Sequence, residues 1–244
     1  MDVVEDGLAD FVASRGTEWR GLSLTMPLKR TVLPLLDSMD EITELTGGAN
    51  TVLFDQVRGS RVLRGFNTDV CGVIEGFLGA GVVRLDSVRV LGSGATAASV
   101  LVAVSRLGAR RVDISARTPA HATRLQELGI ALGMDVTVEP LNSTPVVSVP
   151  DAVINTIPGG AGAVVPFTEP AWPEAVLFEV AYDPWPTPLA ESWAAAGGRV
   201  ISGLEMLLHQ ALAQVRVFVG GDPDLPLAEE DAVLAAMRRC VSSE

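Results

Sequence analysis

Val88-Arg89-Val90-Leu91-Gly92-Ser93-Gly94-Ala95 is the stretch that decides the fold. A short apolar run ends in a glycine turn, and an Ala/Val/Leu helix pattern follows over 95–107. Gly92 permits a tight turn and Gly94 lets backbone approach a pyrophosphate. A helix starting near Ala95 offers free N–H groups and a positive dipole end to phosphates. The full G-x-G-x-x-G pattern is not met, because Ala97 and Ala98 fill the later positions. Alanine still allows close helix packing. Working outward, strands are expected over 111–115, 135–138, 152–155 and 176–180, with a helix over 119–133. Such alternation predicts an α/β fold with a parallel sheet and crossover helices. The strand after the glycine turn ends Ser115-Ala116-Arg117-Thr118. An NAD enzyme usually places Asp or Glu there for the ribose 2′-hydroxyl. A guanidinium suits a 2′-phosphate instead. The candidate cofactor is therefore NADP, with Arg117 and Thr118 at its phosphate. Asn155-Thr156-Ile157-Pro158-Gly159 ends a later strand, where the ligand crevice of such sheets lies, so Thr156 joins the cofactor candidates.

The flanks have a different grammar. Residues 7–15 read as a helix with Leu8, Phe11 and Val12 on one face, and 20–25 as a strand. Pro27 suits the first turn of a helix. Residues 50–54 and 61–66 read as a strand pair around the turn Arg58-Gly59-Ser60, followed by a helix over 69–79. Helices are expected over 203–219 and 226–240, and a loop over 140–150. Lys29 in Leu22-Ser23-Leu24-Thr25-Met26-Pro27-Leu28-Lys29 and Asp69 in Gly65-Phe66-Asn67-Thr68-Asp69 each follow a strand-like run. Gly48-Ala49-Asn50-Thr51 is a second polar cluster between them. A lysine and a carboxylate together suit a proton-transfer pair at a substrate site.

With 30 acidic against 18 basic residues in 244, the net charge is −12, which argues against a nucleic-acid partner. No apolar run approaches the roughly 20 residues of a membrane helix. No signal peptide is expected, since the first 20 residues are acidic and lack an apolar core. Two cysteines are too few for a disulfide framework or a zinc site, so no metal is expected and a reducing cytoplasm is the default.

Taken in order, these motifs resemble shikimate dehydrogenase, in wording similar to its actinobacterial branch. Ala181-Tyr182-Asp183-Pro184-Trp185-Pro186-Thr187-Pro188 and Ser202-Gly203-Leu204-Glu205-Met206-Leu207-Leu208-His209-Gln210 complete the set, which covers roughly residues 20–220. The resemblance implies NADP-linked, reversible reduction of 3-dehydroshikimate to shikimate in aromatic amino-acid (chorismate) biosynthesis. It implies a substrate domain over 1–70 plus 204–244 and a Rossmann-like NADP domain over 71–203. Lys29 and Asp69 would be the catalytic pair. Thr25, Asn50, Tyr182 and Gln210 would meet the substrate. Gly92, Gly94, Ala95, Arg117, Thr118, Thr156 and Gly203 would border the cofactor. His121 would be a weaker second phosphate contact and His209 a packing residue. The family pattern also has an earlier strand and a Ser-x-Ser segment that this chain as written lacks, so a sheet short of a strand and a weakened carboxylate site are expected. A homodimer is one expected assembly. A quinate or aminoshikimate paralogue, or a non-catalytic NADP-binding relative, is the alternative, and a folate-linked dehydrogenase is disfavoured by Asn67-Thr68-Asp69.

Overall fold

The structure, a computed structural model, describes residues 3–141, 149–158 and 174–241. The chain divides into two compact units, 1–71 with 208–244, and 72–207.

The first unit starts with α1 (Leu8–Ala13), preceded by a single 3-10 turn, and β1 (Gly21–Ser23). The short helix α2 (Leu28–Thr31), β2 (Ser38–Met39) and α3 (Glu41–Thr46) follow. Asp40 caps α3, its carboxylate accepting from Thr43 N–H at 2.7 Å, and Gly47 closes it at φ 63°. Burial pushes the Asp40 carboxyl above its usual range despite that bond. Next come β3 (Thr51–Val57) and β4 (Ser60–Phe66), an antiparallel hairpin. Its two-residue turn holds Arg58 at φ 53° and Gly59 at φ 82°, the left-handed pair that matches strand twist. The sheet order is β1-β3-β4-β2, with β2 parallel to β4. Leu8, Val12, Leu22, Leu24, Val32 and Val52 form its main core.

The helix α4 (Asp69–Gly79) leads into the second unit. There β5 (Ser87–Leu91), α5 (Ala95–Arg106), β6 (Arg111–Ala116), α6 (Thr123–Ala131) and β7 (Asp135–Pro140) alternate. After them stand β8 (Ala152–Asn155), β9 (Val176–Glu179), α7 (Pro188–Ala195) and β10 (Arg199–Ser202). The sheet order is β10-β9-β8-β5-β6-β7, and every pairing is parallel. All four residues of β8 and of β9 are buried, as expected for strands covered on both faces. Chain order reverses between β5 and β8, the switch point where such sheets bind dinucleotides. Trp193, fully buried on α7, packs with Leu91, Val153 and Leu177 and donates from Nε1 to the Ala175 carbonyl at 3.2 Å. Gly76 leaves room for the Phe178 ring, which meets Phe77 edge-on at 5.0 Å.

Last in the chain are α8 (Gly203–Gly220), which runs from the second unit's residues into the first's, and α9 (Glu230–Val241). Arg216 holds Glu230 through two short bonds and keeps its carboxyl below the usual glutamate range.

The structure corrects several expected bounds. The strand expected over 20–25 is only Gly21–Ser23, because Thr25 opens a turn whose carbonyl accepts from Leu28 N–H. The helix expected over 119–133 starts as a 3-10 turn, Pro119–Ala122, and becomes α-helical at Thr123. The last helix starts at Glu230 rather than 226, where Leu227 N–H bonds the Glu230 carboxylate instead of a helical carbonyl. The elements β2, α3, α7 and β10 have no counterpart in the sequence reading. The expected loop over 140–150 lies largely outside the described residues, as does Gly159.

Candidate active site

In the first unit, Lys29 leaves the first turn of α2 and Asp69 begins α4. Lys29 Nζ donates to Asp69 Oδ2 at 2.6 Å, with the two side chains only 13% and 4% exposed. The turn into α4 is made by a neighbour: Asp69 N–H donates to Asn67 Oδ1 at 3.0 Å, which leaves the Asp69 carboxylate for the lysine. Asn67 Nδ2 in turn donates to Thr46 Oγ1 and to the Gly48 carbonyl, pinning the approach to α4. The loop after α3 is tied to α2 by Ala49 N–H donating to the Lys29 carbonyl at 2.8 Å.

Asn50 is the hub. Its Nδ2 lies 2.8 Å from Asp69 Oδ1, 3.0 Å from Gln210 Oε1 and 2.9 Å from Thr68 Oγ1. Its Oδ1 accepts from Thr68 N–H and from Thr51 Oγ1. Each oxygen of Asp69 is thus assigned, Oδ2 to the lysine and Oδ1 to Asn50. The α8 side is latched twice more. Thr68 Oγ1 donates to the Gln210 carbonyl at 2.9 Å, and Gln214 Nε2 donates to the Asn50 carbonyl at 3.2 Å. The fold therefore brings Lys29, Asp69, Asn50 and Gln210 together through hydrogen bonds. Thr25 stands apart from that network, exposed in the turn before α2. A cavity of about 510 Å³ beside β1 includes Thr25 and Ser23, but its walls are mostly apolar (Leu8, Phe11, Trp19, Leu22). Neither Lys29 nor Asp69 is among the residues that line it.

Three residues of this network were not singled out from the sequence: Thr68, Asn67 and Gln214. The first two lie in a quoted motif beside Asp69. Gln214 carries a signal that was available: a polar residue one turn after Gln210 on the buried side of a long helix.

In the second unit the cofactor candidates gather at the carboxyl ends of the strands. Gly92 has φ 106°, a backbone state that only glycine adopts without strain, and a Cβ there would lie 2.5 Å from Thr156 Oγ1. Thr156 N–H and Oγ1 both donate to the Leu91 carbonyl at 2.8 Å, so the ends of β5 and β8 are stitched together. A Cβ on Gly94 would meet no described atom within 4 Å, so the backbone there is open to close approach. Ala95 starts the 12-residue α5, whose first turn contains no acidic residue. Arg117 and Thr118 are exposed just past β6, and His121 lies on the 3-10 turn that follows. These residues fit the phosphates of NADP: an open glycine, a helix N-terminus and an exposed guanidinium. Tyr182 is 49% exposed after β9.

Gly203 has a steric reason to be glycine. A Cβ would lie 2.0 Å from the Val180 carbonyl oxygen and 2.9 Å from that of Glu179. Both obstacles are backbone, so no rotamer relieves the clash. Gly203→Ala is expected to destabilise the second unit by about 1–3 kcal/mol, the usual cost of overpacking, measured by urea unfolding.

Among the described residues no group of three or more His, Cys, Asp or Glu side chains could hold a metal ion, and no helix is long and apolar enough to cross a membrane.

A parallel, doubly wound nucleotide-type sheet in one unit and a buried lysine–aspartate pair in the other define the class: a two-domain α/β oxidoreductase of the nicotinamide-dependent kind. Comparison with known proteins narrows it. The family model described as the shikimate dehydrogenase substrate binding domain matches residues 1–52. A shikimate dehydrogenase (NADP(+)) from Rubrobacter xylanophilus is 34% identical over 236 residues, covering 94% of this chain and 79% of that protein. The crystal structure of Mycobacterium tuberculosis shikimate dehydrogenase superposes with a TM-score of 0.81 at 36% identity, covering 97% of this chain and 86% of that one. A Thermus thermophilus shikimate 5-dehydrogenase in complex with NADP(H) and shikimate gives 0.78 at 28% identity, covering 98% and 85%. The chain belongs to the shikimate dehydrogenase family.

Proposed function

We propose that this chain catalyses the NADP-dependent, reversible reduction of 3-dehydroshikimate to shikimate, a step of aromatic amino-acid biosynthesis. The observation that carries the reading is the 2.6 Å Lys29–Asp69 pair, held by Asn50 to Gln210, in a member of this family. NADPH, when bound, would supply the hydride. Lys29 Nζ donates a proton to the carbonyl oxygen as it becomes an alkoxide, and takes it back in the reverse direction. Asp69 fixes the direction of the ammonium and carries the balancing charge. Asn50 holds the other Asp69 oxygen, so the carboxylate cannot swing away from the lysine. Gln210, with its Oε1 held by Asn50, Asn50 itself and Thr25 are the candidates for substrate hydroxyls or carboxylate, and Tyr182 for the substrate side of the nicotinamide. Arg117 and Thr118 would receive the 2′-phosphate, and Gly92, Gly94, Ala95, Thr156 and Gly203 would line the rest of the cofactor. The substrate-side and cofactor-side domains are taken as 1–70 plus 204–244 and 71–203.

The test is NADP reduction by the purified chain with shikimate, with quinate and NAD as controls. Turnover with shikimate and NADP supports the reading, and its absence at high enzyme concentration overturns it. Arg117→Ala is expected to raise KM for NADP by about 10–100-fold, the loss of hydrogen bonds to a charged group, and to leave KM for NAD unchanged. An equal rise for both nucleotides would remove Arg117 from the 2′-phosphate. The paucity of cysteine supports a cytoplasmic setting. Assembly as a homodimer would use β1, which among the described residues is the last strand of its sheet, and is checked by light scattering.

A further inference from the structure

Glu179 ends β9 and is completely buried. Asn155 Nδ2 donates to both of its oxygens, at 3.0 and 2.9 Å. Ala181 N–H donates to Oε1 at 3.3 Å and Thr187 Oγ1 to Oε2 at 3.0 Å. Both oxygens receive N–H donors, the pattern of an ionised carboxylate, which accepts and never donates. Burial pushes this carboxyl above its usual range, and the Asn155, Thr187 and Ala181 donors oppose that.

An acceptor-only partner decides which way an amide faces. Glu179 forces the Asn155 NH₂ toward itself, so Asn155 Oδ1 must face the other way, where it accepts from Ile157 N–H at 3.1 Å. That bond shapes the turn carrying Thr156. The second arm of the same carboxylate shapes Ala181 to Thr187, the segment that carries Tyr182, and Thr187 then caps α7 through Ala190 N–H at 3.1 Å. One buried charge thus sets two loops at the ends of β8 and β9. Those loops lie on the side of the switch point away from Arg117, and in such sheets the two halves of a dinucleotide lie on either side of that point.

We propose that Glu179 is a positioning residue for the nicotinamide half of the cofactor, acting by fixing the Asn155 amide and the two loops that depend on it. The inference rests on the NADP reading above. It assigns Glu179 no contact with substrate or cofactor. Glu179→Gln keeps one acceptor oxygen but sets an NH₂ in place of the other, against the Asn155 NH₂ that had bonded both. Turning Asn155 Oδ1 toward the new NH₂ relieves that donor–donor contact, and Ile157 N–H then loses its acceptor and the Thr156 turn is released.

The test compares NADP with 2′,5′-ADP, which keeps both adenosine phosphates and lacks the nicotinamide half, by calorimetric titration. Glu179→Gln is expected to weaken NADP about tenfold, one lost hydrogen bond's worth, and to leave 2′,5′-ADP unchanged. The double variant Glu179→Gln/Asn155→Asp moves the carboxylate to position 155. There it accepts from the amide introduced at position 179 and from Ile157 N–H, and NADP affinity is expected to return. Equal loss of both ligands, or no recovery in the double variant, makes Glu179 a residue of general stability and overturns the proposal. Unchanged NADP affinity in the single variant overturns it too. A wild-type chain that binds neither nucleotide overturns the NADP reading itself, and the proposal with it.

Discussion

Lys29→Ala is expected to lower NADP reduction by shikimate about 10³-fold, within the range of a lost general acid or base, with NADP affinity unchanged. Among the described residues the ammonium is the one cation bonded to Asp69, since the other oxygen faces the neutral amide of Asn50. Removing it also leaves a 4%-exposed carboxylate without that counter-charge, which costs about 3–5 kcal/mol when a buried pair is broken. Activity and stability therefore fall together in this variant, and a second substitution separates them. Lys29→Ala/Asp69→Asn removes the stranded charge, so its unfolding midpoint should recover most of the loss. Its turnover should stay at the level of the single variant. Recovery of activity along with stability would make Lys29 a structural partner and not the proton donor.

Trp193→Ala is expected to destabilise the parallel-sheet unit by about 3–5 kcal/mol, read from denaturant unfolding followed by circular dichroism. The indole is wholly buried against Leu91, Val153 and Leu177, under β5, β8 and β9 at once. Alanine leaves a void there and strips the Ala175 carbonyl of its Nε1 donor. Trp193→Phe keeps most of the volume and loses the donor, so it should cost only about 1–3 kcal/mol. A loss equal to that of alanine would show that the hydrogen bond, and not the volume, dominates.

The parallel sheet was legible because its signals are local. The turn Gly92 to Ala95 and the strands at 88–91, 111–115 and 152–155 each announce themselves within a few residues, and the helix over 69–79 is reproduced to the residue. The missed helices were legible too. Asp40 with Gly47, and Thr187 with Pro188, are ordinary boundary signals for α3 and α7. Neither short helix, however, has room for a convincing apolar period. The two-residue β2 has no period at all and exists only through its pairing with Arg64 and Gly65. At the candidate site, residue types could be read but not their partners. Asn50 reads as a substrate contact, and its bonds to Thr68, Asp69 and Gln210 join segments far apart in the chain. The hold of Glu179 on Asn155 depends on β8 and β9 lying side by side. Contacts across so many residues leave no trace in a sequence window.

The bond between Asn50 and Gln210 spans 160 residues, and that has a consequence on the ribosome. The segment with Lys29 and Asp69 is made early, the whole parallel sheet follows, and only then does α8 emerge. At about 5–20 residues per second, the nascent first unit waits on the order of ten seconds for its last support. During that wait Leu53 and Phe66, which end up against Val217, have no cover from α8. The run Thr51-Val52-Leu53-Phe54 is uncharged and rich in strand formers, the kind of stretch that recruits other chains while it is bare. A message truncated ahead of α8 would yield a finished parallel sheet attached to an adhesive, unfinished partner. Yield of the intact protein should therefore depend on translation speed and chaperone supply through the middle of the gene.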